Sequence, residues 1–170
     1  MISISLLDKA QFPAVAPAVF AMLDGNMRPI LPDRLPQAEE YRLWFQAVSE
    51  GLTRDPRQII LVHGPENKLL GFVQYYANEQ VLMLEEVQLL PRYHKAVSFL
   101  PRLGRFLLKA LPATSKYVEA FVHPQNTYSI ALQEKLTMEC TGTDRSGEYL
   151  HYRGAFSQFA AHFLRKEETE

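Results

Sequence analysis

The segment that most constrains the fold of this 170-residue chain lies between residues 117 and 136. It opens with six mostly apolar residues, Tyr117–Val122, a run typical of a buried strand. His-Pro-Gln-Asn follows and ends the strand, because proline has no N–H to donate to a neighbouring strand. Asn126 is a favoured residue at a helix N-terminus, and apolar residues recur after it at Ile130, Leu132 and Leu136. The segment predicts a strand, a polar turn and a short helix, where backbone amides can face a bound ligand.

The rest of the chain alternates between strand and helix patterns. Strands are predicted over residues 2–6, 58–63, 69–76, 81–90, 117–122 and 148–152. Helices are predicted from Asp8, over 38–52 and 99–111, after Asn126, and as an aromatic stripe over about 154–166. Pro17 is expected to kink or restart the first helix, and residues 24–36 are expected to form a loop. This order favours an α/β domain with a mixed sheet and helices on both faces.

Composition and charge argue against several classes of protein. The net charge is -1 and 47% of residues are hydrophobic, which indicates a globular chain and argues against a strongly basic, nucleic-acid-binding surface, while leaving a local basic patch open. The single cysteine, Cys140, excludes an internal disulfide and a cysteine-rich zinc site, and we expect it in the core. We recognise no membrane span and no secretory signal, so the expected location is cytoplasmic. Metal-protease, esterase and P-loop motifs are absent, and no metal site is predicted.

The helix after the polar turn carries a family resemblance. Asn126-Thr-Tyr-Ser-Ile-Ala-Leu-Gln-Glu-Lys-Leu-Thr-Met138 resembles the N-x-x-(A/S)-x-x-L-Y-x-K-x-G-F pattern of the GNAT superfamily of acyl-CoA-dependent N-acyltransferases. The matching positions are Asn126, Ser129, Leu132 and Lys135. The order of elements also resembles that family from residue 2 to about residue 152. The resemblance implies one GNAT-like domain over residues 1–170, with a mostly antiparallel sheet of six or seven strands and an additional C-terminal helix.

A second match lies at the end of the predicted strand 81–90. Leu84-Glu-Glu-Val-Gln-Leu-Leu-Pro-Arg-Tyr-His94 resembles the family's V-x-P-x-Y-R strand end. There the strand backbone pairs with the pantetheine arm of acetyl-CoA or another acyl-CoA, so the resemblance assigns that role to Val87, Gln88 and Leu89. It also assigns a cofactor contact to Asn126.

The family's next segment is a glycine-rich loop that holds the cofactor pyrophosphate at a helix N-terminus. By spacing, this loop consists of His94, Lys95, Ala96, Val97, Ser98 and Phe99, and it lacks glycine. A second alignment places the final loop glycine at Gly104. His94 and Lys95 either contact phosphate as cations or belong to a solvated basic loop.

The family reaction is direct attack of an amine on a thioester, which needs a base and a proton for the leaving thiolate. Glu86 occupies the base position; the alternative is a glutamate that faces solvent or pairs with an arginine. Its neighbour Glu85 points to the opposite face of the strand. Gln133 stands where the family has a tyrosine acid, and Tyr128 is either a poor substitute or a packing residue. His123 either assists catalysis or makes a backbone hydrogen bond in the turn.

These residues support two hypotheses. The first is an N-acyltransferase that uses acyl-CoA and a small-molecule or peptide amine, with residues 24–36 beside the acceptor and with Asp33 and Glu39 attracting a cation. The second is a GNAT-shaped binding or assembly module without catalysis, favoured by the missing glycines and tyrosine. The aromatic stripe either packs on its own domain or contributes to a homodimer or partner contact.

Overall fold

The computed structural model describes residues 2–31, 34–54, 56–94 and 99–164. Within these ranges the chain forms seven strands and five α-helices. The strands are β1 (Ser3–Leu6), β2 (Arg57–His63), β3 (Leu69–Ala77), β4 (Val81–Leu89), β5 (Tyr117–Val122), β6 (Glu139–Thr143) and β7 (Leu150–Ala155). The helices are α1 (Phe12–Met27), α2 (Gln37–Arg54), α3 (Phe99–Ala110), α4 (Thr127–Lys135) and α5 (Phe156–Leu164). No helix in these ranges is long and apolar enough to cross a lipid bilayer.

The strands are hydrogen-bonded in the order β1-β2-β3-β4-β5-β7-β6. β1 pairs antiparallel with β2, and β7 pairs antiparallel with both β5 and β6. β4 and β5 pair in parallel, and α3 lies between them in the sequence, as the crossover of a parallel pair requires. The predicted class is confirmed over the described part of the chain: a mixed, mostly antiparallel sheet with a C-terminal helix.

The chain divides into two compact units, one comprising Met1–Gln74 with Glu86–Ala96 and the other Tyr75–Glu85 with Val97–Glu170. The first unit has an aromatic core. Phe12 of α1 stacks on Phe45 of α2 with 5.5 Å between ring centroids, an offset geometry that adds to the burial of both rings. The same cluster includes buried residues of the neighbouring strands, Ile59, Leu61 and Phe72. The predicted helix over 38–52 is therefore confirmed. Trp44, Phe45 and Val48 pack in or against this core, whereas Leu43 is exposed.

Two predictions about the first helix are wrong in part: the helix does not restart at Pro17, and the loop that follows it begins later than residue 24. Pro17 lies inside α1, which continues from Phe12 to Met27 as one helix. Proline removes one backbone hydrogen bond from a helix, but burial of the core-facing side chains maintains α1 across that position. These side chains are Ala16, Val19, Phe20, Met22 and Leu23. The predicted loop over residues 24–36 begins later than expected, because residues 24–27 form the last turn of α1.

In the second unit, the aromatic stripe of α5 packs on α3. Phe156, Phe159 and Phe163 are buried, and Gly104 of α3 lies directly against the ring of Phe163. A side chain at position 104 would overlap that ring, so the glycine permits close approach of the two helices. The stripe therefore packs within its own unit, the first of the two alternatives.

β6 is a strand that the sequence patterns did not predict. All five of its residues are exposed, and they pair with β7 at the edge of the sheet, with an irregularity between Cys140 and Gly142. The alternation of apolar and polar residues that marks a half-buried strand is absent here. Cys140 is exposed, so its expected place in the core is wrong: it lies on an edge strand that buries neither face.

Candidate functional site

The C-terminal end of β4 carries the candidate base and three candidate cofactor-binding residues. The pairing of β4 with β5 covers residues 81–84 of β4, and the strand then continues to Leu89. Glu86 and Val87 are half-buried, whereas Gln88 and Leu89 are buried. The structure thus places all four residues on one short stretch of strand, after the last residue that pairs with β5.

A chain of side-chain amides leads from α1 to Glu86. Nδ2 of Asn26, in the last turn of α1, donates to Oε1 of Gln88 at 2.9 Å. Nε2 of Gln88 donates to Oε2 of Glu86 at 2.8 Å. Gln88 and Glu86 are two residues apart, so their side chains lie on the same face of β4. The carboxylate of Glu86 is therefore held by a neutral donor through a charge-assisted hydrogen bond.

Asn26 also binds the main chain at the end of β4. Its Nδ2 donates to the carbonyl oxygen of Leu89 at 3.0 Å, and Nε2 of His94 lies 3.0 Å from the same oxygen. A carbonyl oxygen only accepts, so Nε2 of His94 carries the proton. Both lone pairs of the Leu89 carbonyl are engaged. A phosphate contact through Nε2 of His94 would require one of these bonds to break.

Gly71 of β3 allows the close approach of the two strands at this point. A Cβ at position 71 would lie 2.8 Å from the backbone oxygen of Gln88 and would overlap the side chain of Leu89. The N–H of Leu90 donates to the carbonyl of Leu70 at 2.9 Å. By alternation along the strand, the backbone groups of Val87 and Leu89 point away from β3.

The predicted pyrophosphate loop is described only at its two ends. Lys95, Ala96, Val97 and Ser98 lie outside the described residues. Phe99 is the first residue of α3 and is buried with 3% exposure, which makes its side chain part of a core. The alternative alignment, with Gly104 as the last loop glycine, is wrong because Gly104 lies inside α3.

The polar turn before α4 has the predicted local structure. Oδ1 of Asn126 accepts a hydrogen bond from the backbone N–H of Ser129 at 3.1 Å and caps the helix. Nδ1 of His123 accepts from the backbone N–H of Gln125 at 3.2 Å. His123 therefore stabilises the turn, which is the structural alternative given for this residue. The first turn of α4 is fixed in a geometry that directs backbone N–H groups outward.

α4 carries no tyrosine at the position where the family has its general acid. Gln133 occupies the tyrosine position, is buried with 3% exposure, and its Oε1 has no hydrogen-bond partner. Tyr128 is 37% exposed, and partial burial of its phenol raises its pKa. A raised pKa keeps Tyr128 protonated at neutral pH and makes it a weaker acid.

An ion-pair network joins the end of α1 to the start of α2. The buried carboxylate of Asp24 accepts from Nε of Arg28 at 3.0 Å and from Nε2 of Gln37 at 2.8 Å. The hydrogen bond from Arg28, followed by that from Gln37, lowers the pKa of Asp24 against an opposing effect of burial. Glu40 accepts from Nε of Arg34 at 2.8 Å. These two carboxylates are balanced by arginines.

Of the two acidic residues predicted to attract an amine, Glu39 is exposed and Asp33 lies outside the described residues.

Asn26 is a site residue that the sequence patterns did not predict. This residue belonged to the segment interpreted as a loop, and its partners lie 62 and 63 positions further along the chain. No local pattern signals such a contact.

Across the described residues, no group of three or more His, Cys, Asp or Glu side chains is arranged to hold a metal ion.

Comparisons with known proteins identify the fold. No protein-family model and no curated protein matches the sequence. Solved structures do match. PaiA N-acetyltransferase from Thermoplasma acidophilum, in complex with coenzyme A, is 15% identical with a TM-score of 0.66, covering 91% of this chain and 99% of its own. A variant of spermidine N-acetyltransferase SpeG from Vibrio cholerae is 11% identical with a TM-score of 0.61, covering 93% and 95%. FdhC, a nucleotide-linked sugar GNAT, is 11% identical with a TM-score of 0.65, covering 96% and 92%.

These matches extend over more than nine-tenths of each chain. At this level of identity the comparison shows a shared architecture. The chain has the fold of the GNAT acetyltransferases, as the two sequence motifs predicted.

Proposed function

We propose that this chain, with its GNAT fold, transfers an acyl group from acetyl-CoA or another acyl-CoA to the amine of a small molecule or peptide. The observation that carries the proposal is Glu86, a half-buried carboxylate held by Gln88 at 2.8 Å on the part of β4 that follows its pairing with β5. A carboxylate fixed in this way can accept the proton of an incoming ammonium, directly or through one water molecule. The neutral amine can then attack the thioester.

The backbone of β4 supports a role for acyl-CoA as the acyl donor. The N–H and C=O groups of Val87 and the N–H of Leu89 point away from β3 by alternation, where an extended pantetheine arm could pair with them like an added strand. Leu89 would act through its N–H alone, because its carbonyl is engaged by Asn26 and His94. A donor N–H beside the thioester carbonyl would also stabilise the developing oxyanion.

The remaining cofactor contacts rest on the family resemblance. Asn126 is assigned to the cofactor because it caps the helix whose N-terminal amides attract an anion. The segment from His94 to Phe99 is assigned to the pyrophosphate. Within it, Lys95 supplies a cationic side chain in place of the amides that a glycine-rich loop would present. His94 would have to release the Leu89 carbonyl before its Nε2 could reach a phosphate.

Protonation of the leaving thiolate is assigned to water. Gln133 has no titratable proton, and the raised pKa of Tyr128 makes it a poor acid. A thiolate of coenzyme A is a good leaving group without general acid catalysis. We therefore expect slower turnover than in family members with a tyrosine, but not its loss.

The acceptor is assigned only to the class of amines. Spermidine, named for the Vibrio cholerae neighbour, is a reasonable first member of a substrate panel. However, Asp24 and Glu40 are paired with arginines. Of Asp24, Glu39 and Glu40, it is therefore Glu39 that remains exposed and available to a polycation. Monoamines and peptide N-termini therefore belong in the panel as well. A cytoplasmic location and a homodimer remain predictions.

The test is the release of coenzyme A from acetyl-CoA and longer acyl-CoAs with a panel of amines. We expect turnover with at least one amine, and a loss of about 100-fold or more in kcat for Glu86→Gln, as for removal of a general base. Glu85→Gln is the matched control, because the neighbouring carboxylate points to the opposite face of the strand. Equal activity of wild type and Glu86→Gln would remove Glu86 from the mechanism.

The alternative is a GNAT-shaped binding module, and Gln133 in the tyrosine position favours it. Coenzyme A binding without turnover for any acyl donor or amine, by a folded protein, would support this module and contradict the acyltransferase proposal.

A further inference from the structure

We propose that Asn26 and Gln88 are positioning residues that orient the carboxylate of Glu86 and favour its ionised, proton-accepting form. This inference rests on the proposed function of Glu86 as the base. It adds a side-chain role for Asn26 of α1 and for Gln88 of β4. The family resemblance assigns no role to Asn26 and gives Gln88 only a backbone contact with the pantetheine arm.

A main-chain carbonyl determines which way the side-chain amides of Asn26 and Gln88 donate their hydrogen bonds. The oxygen of Leu89 can only accept, and Asn26 approaches it at 3.0 Å, so the NH2 group of Asn26 must face β4. The second hydrogen of that NH2 group is directed at Gln88, 2.9 Å away. Gln88 must therefore turn its oxygen towards Asn26. Its own NH2 group is left to face Glu86, 2.8 Å away.

This direction has a chemical consequence for Glu86. An NH2 group can only donate, and a donor stabilises a carboxylate more than it stabilises a carboxylic acid. Gln88 is 8% exposed, so water does not readily replace this bond. A reversed Gln88 would present an oxygen to the carboxylate and oppose its ionisation. Asn26 prevents that reversal, although it does not contact Glu86 itself.

Two titratable residues lie next to Asn26, Gln88 and Glu86 in the contacts or along the strand. His94 binds the same Leu89 carbonyl as Asn26 through its protonated Nε2, and Glu85 precedes Glu86 on the opposite face of β4. The effect of the amides on Glu86 can therefore be separated from that of His94 by including His94→Gln as a reference variant.

Two isosteric variants test the proposal. Gln88→Glu replaces the donor with a carboxylate, and Asn26→Asp removes the donors that fix the orientation of Gln88. We expect each to raise the midpoint of the Glu86 titration by about one pH unit or more, as the loss of a donor to a carboxylate predicts. Gln88→Met, which removes the donor without adding charge, should shift it in the same direction by a smaller amount.

The measurement is a titration of the 13C-labelled glutamate side-chain carboxyls by NMR, with the Glu86 signal identified by its absence in Glu86→Gln. The matched control is Gln46→Met, because Gln46 donates to Glu50 at 3.2 Å on an exposed helix surface. This control should leave the Glu86 midpoint unchanged. Circular dichroism establishes that each variant is folded, and Gln88→Met provides the test if an isosteric variant is not.

An unchanged or lowered midpoint in folded Gln88→Glu and Gln88→Met would overturn the proposal. The titration needs neither acyl-CoA nor an amine, so it is independent of the proposed function. A raised midpoint in a protein without turnover would support the positioning of Glu86 and contradict the acyltransferase. Turnover with an unchanged Glu86 midpoint would support the acyltransferase and contradict the positioning role of Asn26 and Gln88.

Discussion

Gln133 provides a test in which the variant should be more stable than the wild-type protein. Its side chain is 3% exposed, and Oε1 has no hydrogen-bond partner. A buried acceptor without a partner costs about 1–3 kcal/mol, because it loses its bonds to water on folding. Methionine has a similar length and shape and no comparable acceptor, so Gln133→Met should remove this cost while it preserves most of the packing.

We expect Gln133→Met to raise the free energy of unfolding by about 1 kcal/mol. This is the lower end of the range, because a flexible thioether must fit a space shaped by a planar amide. For a chain of this size, that gain corresponds to a rise in Tm of about 2–4 °C. The sign of the change is the decisive part of the prediction, since most substitutions of buried residues destabilise.

The assay is urea unfolding followed by the fluorescence of the single tryptophan, Trp44, and by circular dichroism. Gln125→Met, at an exposed position of the turn before α4, is the control and should change stability by less than about 0.5 kcal/mol. A free energy of unfolding that is lower by about 1 kcal/mol or more in Gln133→Met would contradict this prediction. It would mean that Oε1 makes a hydrogen bond in solution and that Gln133 is a satisfied core residue.

Two further predictions concern the first unit. Gly71→Ala should lower the free energy of unfolding by about 1–3 kcal/mol, because the new Cβ meets the fixed backbone oxygen of Gln88 at 2.8 Å; unchanged stability in urea unfolding would contradict the close approach of β3 and β4. Asp24→Asn should reduce stability at neutral pH, because the Arg28 hydrogen bond lowers the pKa of Asp24 and so stabilises the folded state. That stabilisation is complete above the ordinary aspartate pKa of about 3.9 and is lost as the pH falls through the lowered folded-state pKa. Unfolding curves of wild type and Asp24→Asn should therefore converge in acid, and a gap that persists at low pH would argue against the ion pair.

The fold could be predicted where the signal is local. The strand Tyr117–Val122 and the Asn126 cap are encoded in adjacent residues, and both are found as predicted. The continuation of α1 through Pro17 depends instead on side chains that it buries in the core, and this packing outweighs the local preference. β6 could not be predicted because an exposed edge strand needs neither apolar alternation nor a buried face.

In the candidate site, too, only the residue with a local sequence signal could be predicted. Glu86 was identified by its position in a family motif, and that motif includes no partner for its carboxylate. The partner Gln88 lies two residues along the same strand, but its orientation depends on Asn26, 62 residues earlier in the chain. Contacts of this separation arise from the tertiary fold. A single sequence therefore identifies the candidate base but not the side chains that hold it.

Acyl-CoA binding is tested most directly by calorimetric titration of the purified chain with acetyl-CoA and with CoA. We expect a Kd on the order of micromolar, equivalent to about -8 kcal/mol. Asn126→Ala and Lys95→Ala, measured beside the wild type, should each weaken binding. No heat of binding up to millimolar acetyl-CoA, with a folded protein in the cell, would contradict the acyl-CoA-dependent activity of this chain.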